Sequence, residues 1–287
     1  MFTHAAKAKL QTATPPVRQF GLSTGSVAAF VEISDRPPVL LLHGNSSSKE
    51  IFSYQITMLR RRGVGIVAPD LPGHGASEDA RRPKSTYSFP GYAGVLRDVL
   101  DQLALSAVHV VGWSLGGHVG LELLATDRRV RSLLITGTPP IDPGPNVVEQ
   151  AFLPSAAMSL TGKRNLSRRQ VQIYGECLVG GKAYLTSGIL RALRRTDGGA
   201  RYWMARNGLS GIGTNEVQTV RTNACPLAVI HGRRDAFVNR DYLDSVHYRA
   251  LWRNRVQVVD AGHAPHWQRP RLFNRLLISF LEEVTET

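Results

Sequence analysis

The chain has 287 residues, 43% of them hydrophobic and 20% charged, with a net charge of +13 and two cysteines. No apolar run approaches the roughly 20 residues a membrane helix needs, and two cysteines cannot build a disulfide framework, so neither a membrane-spanning helix nor a disulfide scaffold is expected. The positive charge raises the question of nucleic acid, but Lys and Arg spread along the chain instead of gathering with aromatics on a recognisable module, and no nucleic-acid partner is expected.

The first residues, "MFTHAAKAKLQTATPPVRQ", carry Lys7 and Lys9 and no acid, but they have no apolar central block. They do not read as a secretory signal, and residues 1–17 are expected to form a poorly ordered tail. Cys177 and Cys225 have no metal-ligand spacing and read as reduced thiols in a cytoplasmic protein.

"VRQFGL" and "SVAAFVEI" flank the Ser23-Thr24-Gly25 turn and read as an antiparallel pair. Six apolar runs rich in Val, Ile and Leu follow, at 38–43, 63–70, 107–113, 131–137, 226–232 and 255–262. Such runs are how strands buried on both faces of a parallel sheet look. Helical patterns lie between them, at about 50–62, 91–105, 115–126, 240–253 and 270–284. The alternation predicts a doubly wound α/β fold.

One interval breaks the rhythm. From Pro139 to Thr222 there is no convincing strand, only short helical stretches punctuated by Pro143, Pro145, Pro154, Gly180-Gly181 and Gly198-Gly199. A connection that long is not a simple loop in a compact domain. The expected organisation is a core of 18–138 and 223–287 with a helical cap, 139–222, inserted into it. From Pro140 to Thr222 eleven Lys or Arg face five acids, a net of +6. A solvated helical surface accounts for that excess; attraction to anionic surfaces or substrates is the alternative.

The run at 107–113 passes directly into "GWSLGGHVGLELL". Gly112-Trp113-Ser114-Leu115-Gly116 therefore fits G-x-S-x-G with a strand before it and a helix after it. A serine on so sharp a corner needs glycine neighbours, because side chains there would clash with nearby backbone. Its hydroxyl also needs a general base, itself oriented by an acid. Asp235 follows "PLAVIHGRR" and His263 follows "RVQVVDAG", each just past a strand end, in the order nucleophile, acid, histidine. His266 is a rival base, further from the strand end, and its spacing from His263 also raises a metal pair, for which no third partner lies nearby. Asp260 is expected to bond backbone in the turn before His263, Asp241 to be a surface residue, and His118 to be packed. No metal or cofactor is called for.

The stretches "LLLHGNSSSKEIF", "VAPDLPGHGASE", "VVGWSLGGHVGLELL", "VIHGRRDAFV" and "VVDAGHAP" resemble the α/β-hydrolase superfamily over most of the chain. The resemblance implies oxyanion-hole N–H groups at Asn45 and Leu115. Ser46, Ser47 and Ser48 then lie in the loop that receives the oxyanion, with Ser47 or Ser48 placed to cap the helix near Lys49. A narrower resemblance, carried by "HGNSSSKEIF", "LITGTPP" and "RRTDGGAR", is to the α/β-hydrolase-type N-acyl-homoserine lactonases. It implies opening of a lactone ring without a metal, with Tyr174 in "VQIYGEC" as a substrate contact. Those enzymes resemble a Ser-Glu-His triad; here the acid position holds Asp235, and either carboxylate can orient a histidine. In the lactone-opening reading the Asn45 side chain adds a substrate contact, Trp113 either faces the substrate or packs beneath the cap, and Phe152, Leu153, Met158, Tyr174, Tyr202 and Trp203 shape an apolar tunnel for the acyl chain. Carboxylesterase and C–C hydrolase chemistry use the same triad, and a signal-binding receptor that retains it is a reading of another class.

Overall fold

Eight strands form one sheet in the computed structural model, which describes residues 15–142 and 149–285. The tail expected over 1–17 falls mostly outside the described residues, and Val17 already belongs to the first strand; Pro143 and Pro145 also lie outside them. In chain order the strands are β1 (Val17–Leu22), β2 (Gly25–Glu32), β3 (Val39–Leu42), β4 (Ile66–Pro69), β5 (Val108–Trp113), β6 (Val130–Thr136), β7 (Leu227–Gly232) and β8 (Gln257–Val259). Across the sheet they run β1-β2-β4-β3-β5-β6-β7-β8. β1, β2 and β4 pair antiparallel and the remaining neighbours parallel.

Every residue of β3, β4, β5 and β7 is buried, as continuous Val/Ile/Leu runs require once helices cover both faces. The covering helices include α1 (Ser53–Arg61), α2 (Pro83–Thr86), α3 (Phe89–Gln102) and α4 (Leu115–Thr126). α4 follows β5 without a connecting loop and is buried over its first ten residues. Between β6 and β7 the chain leaves the sheet and forms α5 (Arg168–Val179), α6 (Ser187–Arg195), α7 (Gly198–Leu209) and α8 (Glu216–Thr222). After β7 come α9 (Arg240–Ser245), α10 (Pro265–Gln268) and α11 (Pro270–Thr285). Among the described residues no helix is long and apolar enough to cross a membrane.

Two expected elements end early. The helix expected over 240–253 stops at Ser245, because Arg249 N–H then donates to Val220 O and Leu227 N–H to Ala250 O, which ties the chain to α8 and β7. The last strand stops at Val259, where Ala261 N–H turns back onto Val259 O. That early turn swings the next residues, His263 included, over the end of the sheet.

The motifs in the segment between β6 and β7 fasten it to the core. Asp197 caps α7 through Gly199 N–H (2.8 Å) and accepts from Tyr87 Oη (2.7 Å), while its own N–H donates to Gly73 O (2.8 Å). Arg201 is buried and donates to the carbonyls of Lys163, Arg164 and Thr196. Beneath, Lys49 and Asp70 form a buried ion pair at 2.7 Å, and Asp70 also accepts from the backbone of Lys49 and Ala76.

Candidate active site

Ser114 sits at the corner between β5 and α4 with φ 54° and ψ −120°. A non-glycine residue there is strained, and such strain gathers at functional sites. The flanking glycines make the corner possible. A methyl group on Gly112 would lie 2.3 Å from Gly116 O, and one on Gly116 would lie 2.0 Å from Leu42 O. The two backbones approach so closely that no side chain fits, and the Ser114 side chain is left at the end of the sheet.

Asp235 and His263 come from the loops after β7 and β8. His263 Nδ1 lies 2.9 and 3.0 Å from the two Asp235 carboxylate oxygens, which fixes the proton on Nδ1 and leaves Nε2 as the basic nitrogen. Asp235 Oδ1 also accepts from Phe237 N–H (2.8 Å) and Val238 N–H (3.2 Å). Burial alone would raise the Asp235 carboxyl, but His263 and these hydrogen bonds outweigh it and hold it below the usual carboxylate range. Thr138 Oγ1 donates to Ser114 O (3.0 Å). Gly137, at φ 61°, lets the His263 ring come close. These two residues are what the "LITGTPP" stretch contributes to the site.

Ser114 and His263 line one cavity of about 390 Å³. Among the described residues no hydrogen bond joins the Ser114 hydroxyl to His263; contacts of this kind are commonly long without substrate and tighten when it binds. His266 is the weaker base. It is fully buried, stands outside the cavity lining, has both ring nitrogens unpartnered, and burial pushes it down to about 3. No group of three metal-ligating side chains occurs among the described residues.

Asn45 and Leu115 both line the cavity. Neither backbone N–H has a hydrogen-bond acceptor among the described residues, so both donors are available to a ligand. The loop holding Asn45 is fixed from below by His43, whose Nδ1–H donates to Gly44 O (2.8 Å) and whose Nε2 accepts from Leu71 N–H (2.9 Å). Burial lowers that histidine to about 4 and keeps it neutral for this pattern. The Asn45 side chain is already engaged: Nδ2 donates to Thr161 O (2.8 Å) and Tyr174 Oη (3.3 Å). Tyr174 is buried and lines the cavity beside it.

Several expectations need correction. Of the two roles open to Trp113, substrate contact or packing, the structure has the second: it is outside the lining, its ring is 1% exposed and its Nε1–H donates to His263 O (2.8 Å), so it props the histidine loop. Phe152 and Met158 line the cavity, but Leu153, Tyr202 and Trp203 do not. The Tyr202 ring is covered by the Arg164 guanidinium at 4.1 Å and packs edge-on against Trp203. Ser48 precedes the 3₁₀ turn Lys49–Phe52 without capping it through its side chain. Asp260 pairs with Arg234 instead of bonding backbone in its turn. Sequence reasoning missed Phe89, Ile141, Leu178, Met204 and Phe237 as cavity residues, because local sequence marks each only as apolar, whether in a helix or, as Ile141 and Phe237 are, in a loop. His118 is packed as expected, buried and stacked on Phe89, and it also lines the cavity, which the sequence did not indicate.

A sequence model of the alpha/beta hydrolase family matches residues 39–276. The solved structure of the N-acyl homoserine lactonase AidH complexed with N-butanoyl homoserine superposes with a TM-score of 0.90 at 36% identity, over 95% of this chain and 98% of that one. An uncharacterized protein of Mycobacterium tuberculosis is 28% identical over 93% of this chain and 82% of its own length. The 2-hydroxy-6-oxononadienedioate/2-hydroxy-6-oxononatrienedioate hydrolase of Cupriavidus pinatubonensis is 26% identical, over 85% and 86%. With the family match spanning strands β3 to β8 and the serine corner inside it, the chain belongs to the alpha/beta hydrolase family.

Proposed function

We propose that the protein is a metal-independent serine hydrolase that opens the lactone ring of N-acyl-homoserine lactones through an acyl-enzyme. The reading rests chiefly on the site's company: a strained serine facing an Asp235-bound histidine in an apolar cavity, in a chain 36% identical to a lactonase over nearly its full length. Ser114 Oγ attacks the lactone carbonyl while His263 Nε2 takes its proton. Asp235 holds the ring and balances the imidazolium that forms. The N–H groups of Asn45 and Leu115 meet the charge on the carbonyl oxygen; one such donor is typically worth ~10²–10³ in rate. The tetrahedral intermediate then collapses, the bond to the ring oxygen breaks, and His263 returns its proton to that oxygen. The leaving hydroxyl stays tethered to the acyl group. Water, deprotonated by His263, attacks the ester and releases Ser114 and the N-acyl-homoserine.

The helical segment between β6 and β7 serves as the cap, with Phe152, Met158 and Leu178 giving apolar wall for the acyl chain. A hydrolase acting on a dicarboxylate is the less favoured reading: among the described residues no Lys or Arg lines the cavity, so a second carboxylate would find neither there. General esterase chemistry shares every step and differs only in substrate. Incubation with an N-acyl-homoserine lactone should yield the ring-opened acid. Nitrophenyl esters turned over while lactones stay intact would reduce the assignment to an esterase, and tight lactone binding without turnover would favour a receptor.

A further inference from the structure

The cavity holds a second histidine–carboxylate pair that the steps above leave unused. His118 lies one turn into α4 after Ser114, and its ring faces the same cavity. Its Nδ1 is 2.9 Å from both oxygens of Glu216, the first residue of α8. Glu216 is 2% exposed, and its Oε2 also accepts from Ile141 N–H (2.9 Å). Phe89 stacks on the imidazole face at 4.8 Å and 8°, and Phe152 stands 6.3 Å away. The ring is thus held by its Nδ1 edge and one face. Its Nε2 has no hydrogen-bond partner among the described residues and is not closed off by protein.

As packing alone this arrangement is a poor choice. A buried carboxylate and its partner cost desolvation that an apolar pair of similar volume would avoid. Burial pushes the Glu216 carboxyl up against the pull of His118, so the site carries that cost openly. The wall beside it, Phe89, Ile141, Phe152 and Met204, is apolar and needs no polar group, and the other polar side chains of the lining include Asn45, Ser159, Thr161 and Tyr174. An oriented imidazole in such a wall is the kind of sparse polar feature that selects among ligands.

We propose that His118, oriented by Glu216, is a substrate contact whose Nε2 hydrogen-bonds a hydroxyl carried on the acyl part of the substrate near the reacting end. A hydroxyl suits this position because it both donates and accepts, so it can pair with Nε2 in either protonation state of the ring. His118 stands on the first turn of α4, four residues and a rise of about 6 Å beyond Ser114 at the helix's start, which matches a substituent near the acyl head and not one at the chain end. This rests on the lactonase reading for the identity of the substrate but not on turnover.

The test is calorimetric binding to Ser114→Ala, which holds substrate without consuming it, using two lactones of equal chain length: unsubstituted and 3-hydroxyacyl. The 3-hydroxy ligand should bind about tenfold tighter, as one added hydrogen bond in a desolvated site allows. His118→Phe on the same background should bring the ratio near one, and Glu216→Gln should leave it in between. A ratio below about threefold in Ser114→Ala itself overturns the assignment, however the further variants fold. A His118→Phe ratio that stays near tenfold overturns it too. Preference for the 3-hydroxy ligand with no lactone turnover by wild type supports His118 while sinking the lactonase reading; equal binding with turnover does the reverse.

Discussion

Gly137→Ala should cripple the site while the fold survives. Gly137 has φ 61°, and an added methyl would stand 2.8 Å from His263 Cε1 and 2.9 Å from His263 Nδ1. Ordinary carbon contacts lie near 3.5–4.0 Å, so the ring must retreat by at least about half an ångström. Nδ1 is the atom held by Asp235 at 2.9 Å, and the retreat therefore disturbs the bond that orients the base. Misplacement of a reacting group by about 1 Å can cost ~10² in rate, so a fall in kcat of roughly 10–100-fold is expected with a smaller change in KM. The left-handed backbone adds a stability loss of about 1–2 kcal/mol. Ring opening followed at saturating lactone gives the first quantity and urea unfolding the second. A variant with kcat within twofold of wild type would refute the claim that Gly137 exists to seat His263.

Asp235→Asn should lower kcat by ~10⁴, the scale set by losing the tautomer control of a triad histidine, measured with the same lactone assay. Because the folded Asp235 carboxyl is depressed, its stabilising contribution is present above its unfolded value near 4 and is lost as pH falls through the folded one. The stability gap between wild type and Asp235→Asn, read by urea titration, should be flat above about pH 5 and shrink below about pH 4. Lys49→Met should cost about 3–5 kcal/mol in the same titration at neutral pH, because it strands the fully buried Asp70 carboxylate; a loss under 1 kcal/mol would contradict this. Asn45→Ala keeps the backbone donor but removes the bonds to Thr161 O and Tyr174 Oη, so KM should rise about three- to tenfold while kcat changes less. A collapse of kcat with KM unchanged would place the side-chain amide in the transition state.

The central strands β3, β4, β5 and β7 were legible from sequence because they are continuous apolar runs, as burial on both faces requires, whereas the largely exposed β1 and its partner β2 were read from the turn between them. The corner at Ser114 was legible for a different reason: Gly112 and Gly116 answer to clashes of 2.3 and 2.0 Å, a constraint only glycine meets. Asp235 and His263 could be located because each follows a strand end, and position along a strand survives in sequence. The cavity wall was much less readable. Phe89 and Tyr202 look alike as helical aromatics, and which one meets the cavity depends on how α3 and α7 rotate, which local pattern does not encode. The His118–Glu216 pair spans 98 residues, so neither partner signals the other. The positive charge of 140–222 was likewise opaque: none of its Lys or Arg lines the cavity, and Arg201 is spent on carbonyls that hold the segment together.

The central claim is that Ser114 opens a lactone by forming an ester with it. Rapid-quench mass spectrometry of wild type with an N-acyl-homoserine lactone tests it most directly. Since the leaving hydroxyl stays attached, the adduct should equal the mass of the whole lactone and map to the peptide containing Ser114, and Ser114→Ala should show neither adduct nor turnover. Ring opening that persists in a folded Ser114→Ala protein would contradict the account.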